Sequence, residues 1–208
     1  MVVVYIQGRP LNMNWAKENA GALLTAWYPG QEGGHAIADV LFGNYNPSGR
    51  LPISVPRHVG QLPVYYNKKN PVSHDYVEME AAPLYSFGYG KGFSSFTYSN
   101  LQVEENGRHR YKVTFDLRNE GKYDGAEVVQ LYLRDEYASV VRPQKQLKSF
   151  ERIFLKKGES RRVVLTLCED DFSLLDKEMK KIVEPGIFTV MVGAASNDIR
   201  LKISLTIK

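Results

Sequence analysis

Two stretches hold the residue types from which an active site could be built. The first, Pro29-Gly30-Gln31-Glu32-Gly33-Gly34-His35, is a glycine-rich turn that opens an apolar-periodic segment. The second, His74-Asp75-Tyr76-Val77-Glu78-Met79-Glu80, gathers carboxylates beside a histidine. A glycine turn leading into a helix can cradle an anion with free backbone N–H groups. Two carboxyls could instead hydrolyse a glycoside, with retention at a separation of about 5–5.5 Å or inversion at about 6.5–9.5 Å.

Spacing argues against the phosphate chemistry. After Gly33-Gly34 come His35-Ala36, where a nucleotide-binding loop needs Lys followed by Ser or Thr. Gly30, Gly33 and Gly34 also miss the dinucleotide pattern G-x-G-x-x-G. Glu32 is better read as a charge that favours the start of a helix through its dipole. Among Glu32, Asp75, Glu78, Glu80, His35 and His74 no acid–base pair is assigned, because sequence fixes no distance between loops. His35 and His74 lack metal-site spacing, and no G-x-S-x-G elbow is present. No catalytic residue, metal ligand or cofactor is therefore expected. Cys168 is the single cysteine, which excludes an intrachain disulfide and a cysteine metal cluster. It alternates with apolar neighbours in VVLTLCEDD, and a buried structural thiol is expected there.

One binding alternative stays open. Tyr85, Phe87, Tyr89 and Phe93 stand between glycines and serines in LYSFGYGKGFSSF. Such rings could stack on sugar faces, as substrate-binding residues, or could pack as an ordered arm against neighbouring domains.

The elements that would carry these residues divide the chain into three. Residues 1–60 read strand (VVVYI), helix (WAKENAG), strand (ALLTAWY), helix (GHAIADVLFG) and a third extended piece (LPISVP). In the second helix Ala36, Ile37, Val40 and Leu41 share a stripe, and Gly43 offers a stop. VVVYI is the kind of run that forms a strand buried on both faces. Alternating strands and helices imply a parallel sheet, yet these elements are too few to cover one. The segment is expected to be the end of a larger α/β domain whose earlier part lies upstream. Residues 61–97 are rich in turns and aromatics and form a connecting arm. From residue 98 to 208 the period becomes two: RYKVTFDLRN, AEVVQLYLRD, SRRVVLTLCEDDF, GIFTVMVGA and RLKISLTIK alternate. NEGKYDG, KKGES, EPG and ASND punctuate them, and around seven strands in a β-sandwich follow. The fold class is α/β plus all-β: a partial parallel-sheet domain followed by a sandwich.

Composition excludes some partners. Thirteen Tyr and nine Phe favour pleated surfaces. The net charge of +4 is spread over pairs such as Lys68-Lys69, Lys156-Lys157 and Lys180-Lys181, not gathered as nucleic-acid binding requires. No apolar run approaches the roughly 18 residues of a membrane span. No signal peptide opens the chain.

The motifs AWYPGQEGGHAIADVLFGNYNPSGRLPISVP, QLPVYY and PLYSFGYG together resemble the C-terminal part of glycoside hydrolase family 3 enzymes of the β-glucosidase type. FDLRNEGKYDGAEVVQLYLRD, RPQKQLKSFERIFLKKGES and VEPGIFTVMVG resemble their fibronectin type III-like domain. Ser149 and Lys157 are small departures, at positions where the family usually has Gly and Pro. The resemblance covers nearly the whole chain and implies a parent that hydrolyses terminal non-reducing β-linked sugars, such as β-glucosides or oligosaccharides. It further implies that the aspartate nucleophile and acid/base glutamate both lie upstream of Met1, so that this chain alone is inactive. A periplasmic or secreted location is implied by family habit. The competing reading is a stand-alone carbohydrate-binding or interaction module. Either way, the truncated sheet edge at Val2 to Ile6 is expected to drive homodimerisation.

Overall fold

The computed structural model describes residues 1–69 and 75–208. The first segment supplies β1 (Val2–Ile6), α1 (Asn14–Asn19), β2 (Ala22–Trp27) and α2 (Gly33–Phe42). β1 and β2 pair in parallel, the connection between them passing through α1, as the alternation predicted. α2 ends where Gly43 adopts φ 82°, the left-handed cap that glycine takes without strain.

Two expectations for this segment need correction. β1 is only partly covered, with Val2 50% and Ile6 63% exposed, rather than buried on both faces. The reason is that β2 is its sole strand neighbour among the described residues. LPISVP is not a third strand of the parallel sheet; it forms an isolated antiparallel bridge, Val55 to Tyr85. Pro52 and Pro56 have no N–H to give a ladder. A small core of Met13, Val55 and Leu84, joined by Tyr5, Leu51 and Tyr85, holds this part together.

The second half is a sandwich. Its strands are β3 (Phe96–Glu105), β4 (Tyr111–Asn119), β5 (Gly125–Asp135), β6 (Gln146–Leu155) and β7 (Ser160–Leu167). The short α3 (Glu169–Phe172), the small β8 (Leu174–Leu175) and β9 (Lys181–Ile182), and the long β10 (Gly186–Ala195) and β11 (Asp198–Ile207) complete it. One sheet runs β11-β10-β5-β6 and the other β3-β4-β7, giving the seven long strands that the turn spacing implied. Alternate residues fill the space between the sheets: Val113, Phe115 and Leu117 from β4, Val129, Leu131 and Leu133 from β5, Val163, Leu165 and Leu167 from β7. β6 was not announced by alternation, because Phe150 and Phe154 lie exposed on its outer face. Cys168 is exposed, correcting the expectation of a buried thiol. The period of two places it outward with Val164 and Thr166, opposite the inward Leu165 and Leu167.

The arm joins the halves by hydrogen bonds on both sides. Val55 N–H donates to Tyr85 O at 2.8 Å, and Gly88 N–H to Leu51 O at 2.8 Å. Toward the sandwich, Ser196 N–H donates to Phe87 O at 3.0 Å, and the Gln130 amide donates to Gly88 O at 3.1 Å. β5 is consequently buried on both faces: Tyr132, on the side away from the core, is fully enclosed and donates its hydroxyl to Gln130 at 2.6 Å.

Candidate functional site

An open α/β sheet binds ligands beyond the carboxyl ends of its strands. That is where the largest cavity of the described residues lies. Its volume is about 970 Å³, and its walls are Arg9 to Asn12 beyond β1, residues 52–59, Leu62 to Asn67, and Phe87. Leu11, Ile53, Val59, Leu62 and Tyr65 all expose apolar surface there. Tyr66 stacks on Phe87 with ring centres 4.2 Å apart and planes at 14°. The Tyr66 hydroxyl accepts the Leu147 N–H at 3.2 Å, which ties the groove wall to β6.

The polar groups of the wall are mostly engaged. Arg57 donates to Ala82 O at 3.0 Å and pairs with Glu80, while its own N–H donates to the Gln61 side chain at 2.8 Å. Gln61 is buried and donates to Ala81 O at 2.8 Å, fixing the loop that carries Glu80. His58 accepts the Gly60 N–H at 3.1 Å. No Asp or Glu lines the groove among the described residues. It can hold an apolar or aromatic-stacking guest, but it offers no acid–base pair.

The carboxylates singled out from sequence are dispersed. Glu32 meets His35 at 2.7 Å with both side chains largely in solvent. Asp75 accepts the Ala81 N–H at 2.8 Å and shapes its own loop. Glu78 is exposed and Glu80 is held by Arg57. His74 lies outside the described residues. No group of three or more His, Cys, Asp or Glu is placed to hold a metal among the described residues.

The four rings proposed for stacking separate. Tyr85 and Tyr89 stack on each other at 5.2 Å, both half-buried. Burial, with Tyr89 close by, raises the Tyr85 pKa. Phe87 turns to Tyr66 in the groove wall. Phe93 remains 47% exposed, its backbone N–H bound to Asn46 at 2.7 Å.

A second, polar cluster was not anticipated. Arg50 reaches from the first segment into the end of the sandwich and pairs with Glu127 of β5 at 2.9 Å, the side chains being 9% and 6% exposed. Glu127 also accepts the Tyr98 hydroxyl at 3.1 Å. Tyr98 in turn stacks near-parallel to Phe115, and Arg200 lies over its ring. Burial raises the Glu127 pKa above the usual carboxylate range, against the opposing pull of Arg50. Burial and the adjacent carboxylate push Tyr98 strongly up. A cavity of about 270 Å³ adjoins this cluster. The available signal was Glu127 itself, a charge at an inward position of an otherwise apolar alternation.

Comparison with known proteins accounts for this arrangement. Residues 1–93 match the glycosyl hydrolase family 3 C-terminal domain, and residues 127–196 match a fibronectin type III-like domain. A β-xylosidase from Formosa agariphila is 43% identical over 100% of this chain and 30% of its own length. A periplasmic β-glucosidase from Salmonella typhimurium is 44% identical over 94% of the chain and 28% of its own. The crystal structure of β-glucosidase from Listeria innocua in complex with isofagomine superposes with a TM-score of 0.91 at 38% identity, covering 99% of this chain and 30% of that one. The chain thus spans about 30% of the length of these relatives. No helix among the described residues is long and apolar enough to cross a membrane.

Proposed function

We propose that this chain, which carries the C-terminal domain of glycosyl hydrolase family 3 followed by a fibronectin type III-like domain, is the scaffold portion of a retaining β-glycosidase. The parent hydrolyses terminal, non-reducing β-linked sugars through a covalent glycosyl-enzyme intermediate. Its two catalytic carboxylates belong to sequence upstream of Met1. The observation that carries this reading is the largest groove, aromatic and free of carboxylates, at the carboxyl end of β1. The rest of the reading follows the relatives: a periplasmic or secreted parent, and a division at 1–60, 61–97 and 98–208.

The test is hydrolysis. The purified 208-residue chain releases no nitrophenol from nitrophenyl β-glucoside or β-xyloside, whereas the parent does. Release by the chain itself overturns the reading. The exposed β1 edge gives a second expectation, homodimerisation of the isolated chain through Val2 to Ile6. A monomer in concentrated sedimentation runs counts against that edge contact. The competing binding-module reading rests on the Tyr85–Tyr89 stack and the exposed Phe93. Saturable glucan binding lost in Tyr89→Ala, with the fold intact, would favour it.

A further inference from the structure

The carboxyl ends of β1 and β2 are built in an unusual way. Gln7, the first residue beyond β1, is 5% exposed, and among the described residues neither its side-chain oxygen nor its side-chain nitrogen has a hydrogen-bond partner. Its backbone N–H is satisfied, donating to Trp27 O at 3.1 Å, so the deficit belongs to the side chain alone. The register shifts between Tyr5 and Ile6, pairing Ile6 with Trp27. Trp27 takes φ 52°, left-handed backbone that a bulky aromatic adopts only under constraint. Gly8 follows Gln7, and a side chain there would collide with the Tyr28 ring. Groove residues Arg9, Pro10 and Leu11 come next.

Buried polar side chains are almost always paired, because an unmade hydrogen bond forfeits the solvation of both groups. A primary amide offers donors and an acceptor side by side, the complement of a peptide group. Its atoms are closed to bulk solvent, which suits a partner that packs in during folding rather than one that diffuses in. β1 has a free edge beside it, and the relatives extend well beyond the length of this chain.

Resting on the reading of the chain as part of a longer glycosidase, we infer that Gln7 is a positioning residue. Its amide receives a backbone amide of the upstream segment of the parent where that segment packs along β1. In that role Gln7 sets the docking of the upstream part at the mouth of the groove without touching substrate itself.

Opposite responses in two proteins test this. In the isolated 208-residue chain, Gln7→Met removes an unpaired amide at nearly constant volume, and the urea midpoint rises. In the full-length parent the same change removes a made pair: the urea midpoint falls and kcat/KM on a nitrophenyl glycoside drops at least tenfold. Gln7→Leu repeats both responses if the methionine variant expresses poorly. A lower midpoint in the isolated chain means that the amide is already satisfied there and overturns the inference. So does a rise in both proteins, which would make the amide idle in the parent. If the parent hydrolyses no glycoside, the functional reading fails, but the opposite stability shifts still decide the docking role.

Discussion

Removing Glu127 should expose how firmly the first segment is fastened to the sandwich. In Glu127→Ala, Arg50 keeps its charge at 9% exposure with no counter-charge, and the Tyr98 hydroxyl loses its acceptor. Breaking one side of a buried ion pair costs about 3–5 kcal/mol, most of it the stranded charge. For a chain of this size each kcal/mol moves Tm by roughly 2–4 °C, so a fall of about 10 °C is expected. Replacing both partners, Arg50→Met with Glu127→Leu, removes both buried charges and should recover most of the loss. Urea unfolding followed by tryptophan fluorescence and by far-ultraviolet circular dichroism measures each variant. A loss below about 1 kcal/mol in Glu127→Ala, the range of an exposed pair, would refute the argument that this cluster is a buried fastening.

The same residue gives a pH test. Its folded pKa is raised by burial, so the folded state holds the Glu127 proton more tightly than the unfolded one. Its contribution is most favourable below the ordinary glutamate range and declines as pH rises through that range to the raised folded value. Glu127→Gln removes that slope, read as a flatter urea midpoint against pH. Gly88→Ala should cost about 2 kcal/mol, from left-handed backbone at φ 80° and collision with the Gln130 side chain. Chemical denaturation measures it. Asn119 is fully buried and donates to Tyr123 O at 2.8 Å and Leu155 O at 3.2 Å. Asn119→Ala leaves those carbonyls unpaired and should destabilise by about 2 kcal/mol in the same assay. Cys168 is exposed, so the folded chain should react with a thiol reagent as fast as the urea-unfolded chain; strong protection in the native state would contradict its outward register.

Much of the architecture follows from local pattern. Alternation in RYKVTFDLRN and AEVVQLYLRD placed β4 and β5, because successive side chains of a strand must face opposite ways. Gly43 ended α2 because left-handed backbone favours glycine. The motif series identified the family, and the matched domains agree with it. LPISVP misled because β-branched content was weighed above its two prolines. Cys168 misled because alternation gives a period but not which phase faces inward; packing of the second sheet chose that phase.

What the sequence settled by itself is whatever depends on neighbouring residues: helix stops, strand periods, the glycine turn that fails as a phosphate cradle, and the likeness to a family. Tertiary structure alone brought Arg50 to Glu127 across 77 positions and gathered residues 9–12, 52–67 and Phe87 around one groove. It also left the Gln7 amide without a partner. These depend on which distant segments meet, and so on side-chain volume and burial summed over the fold. A one-dimensional period carries no record of that sum.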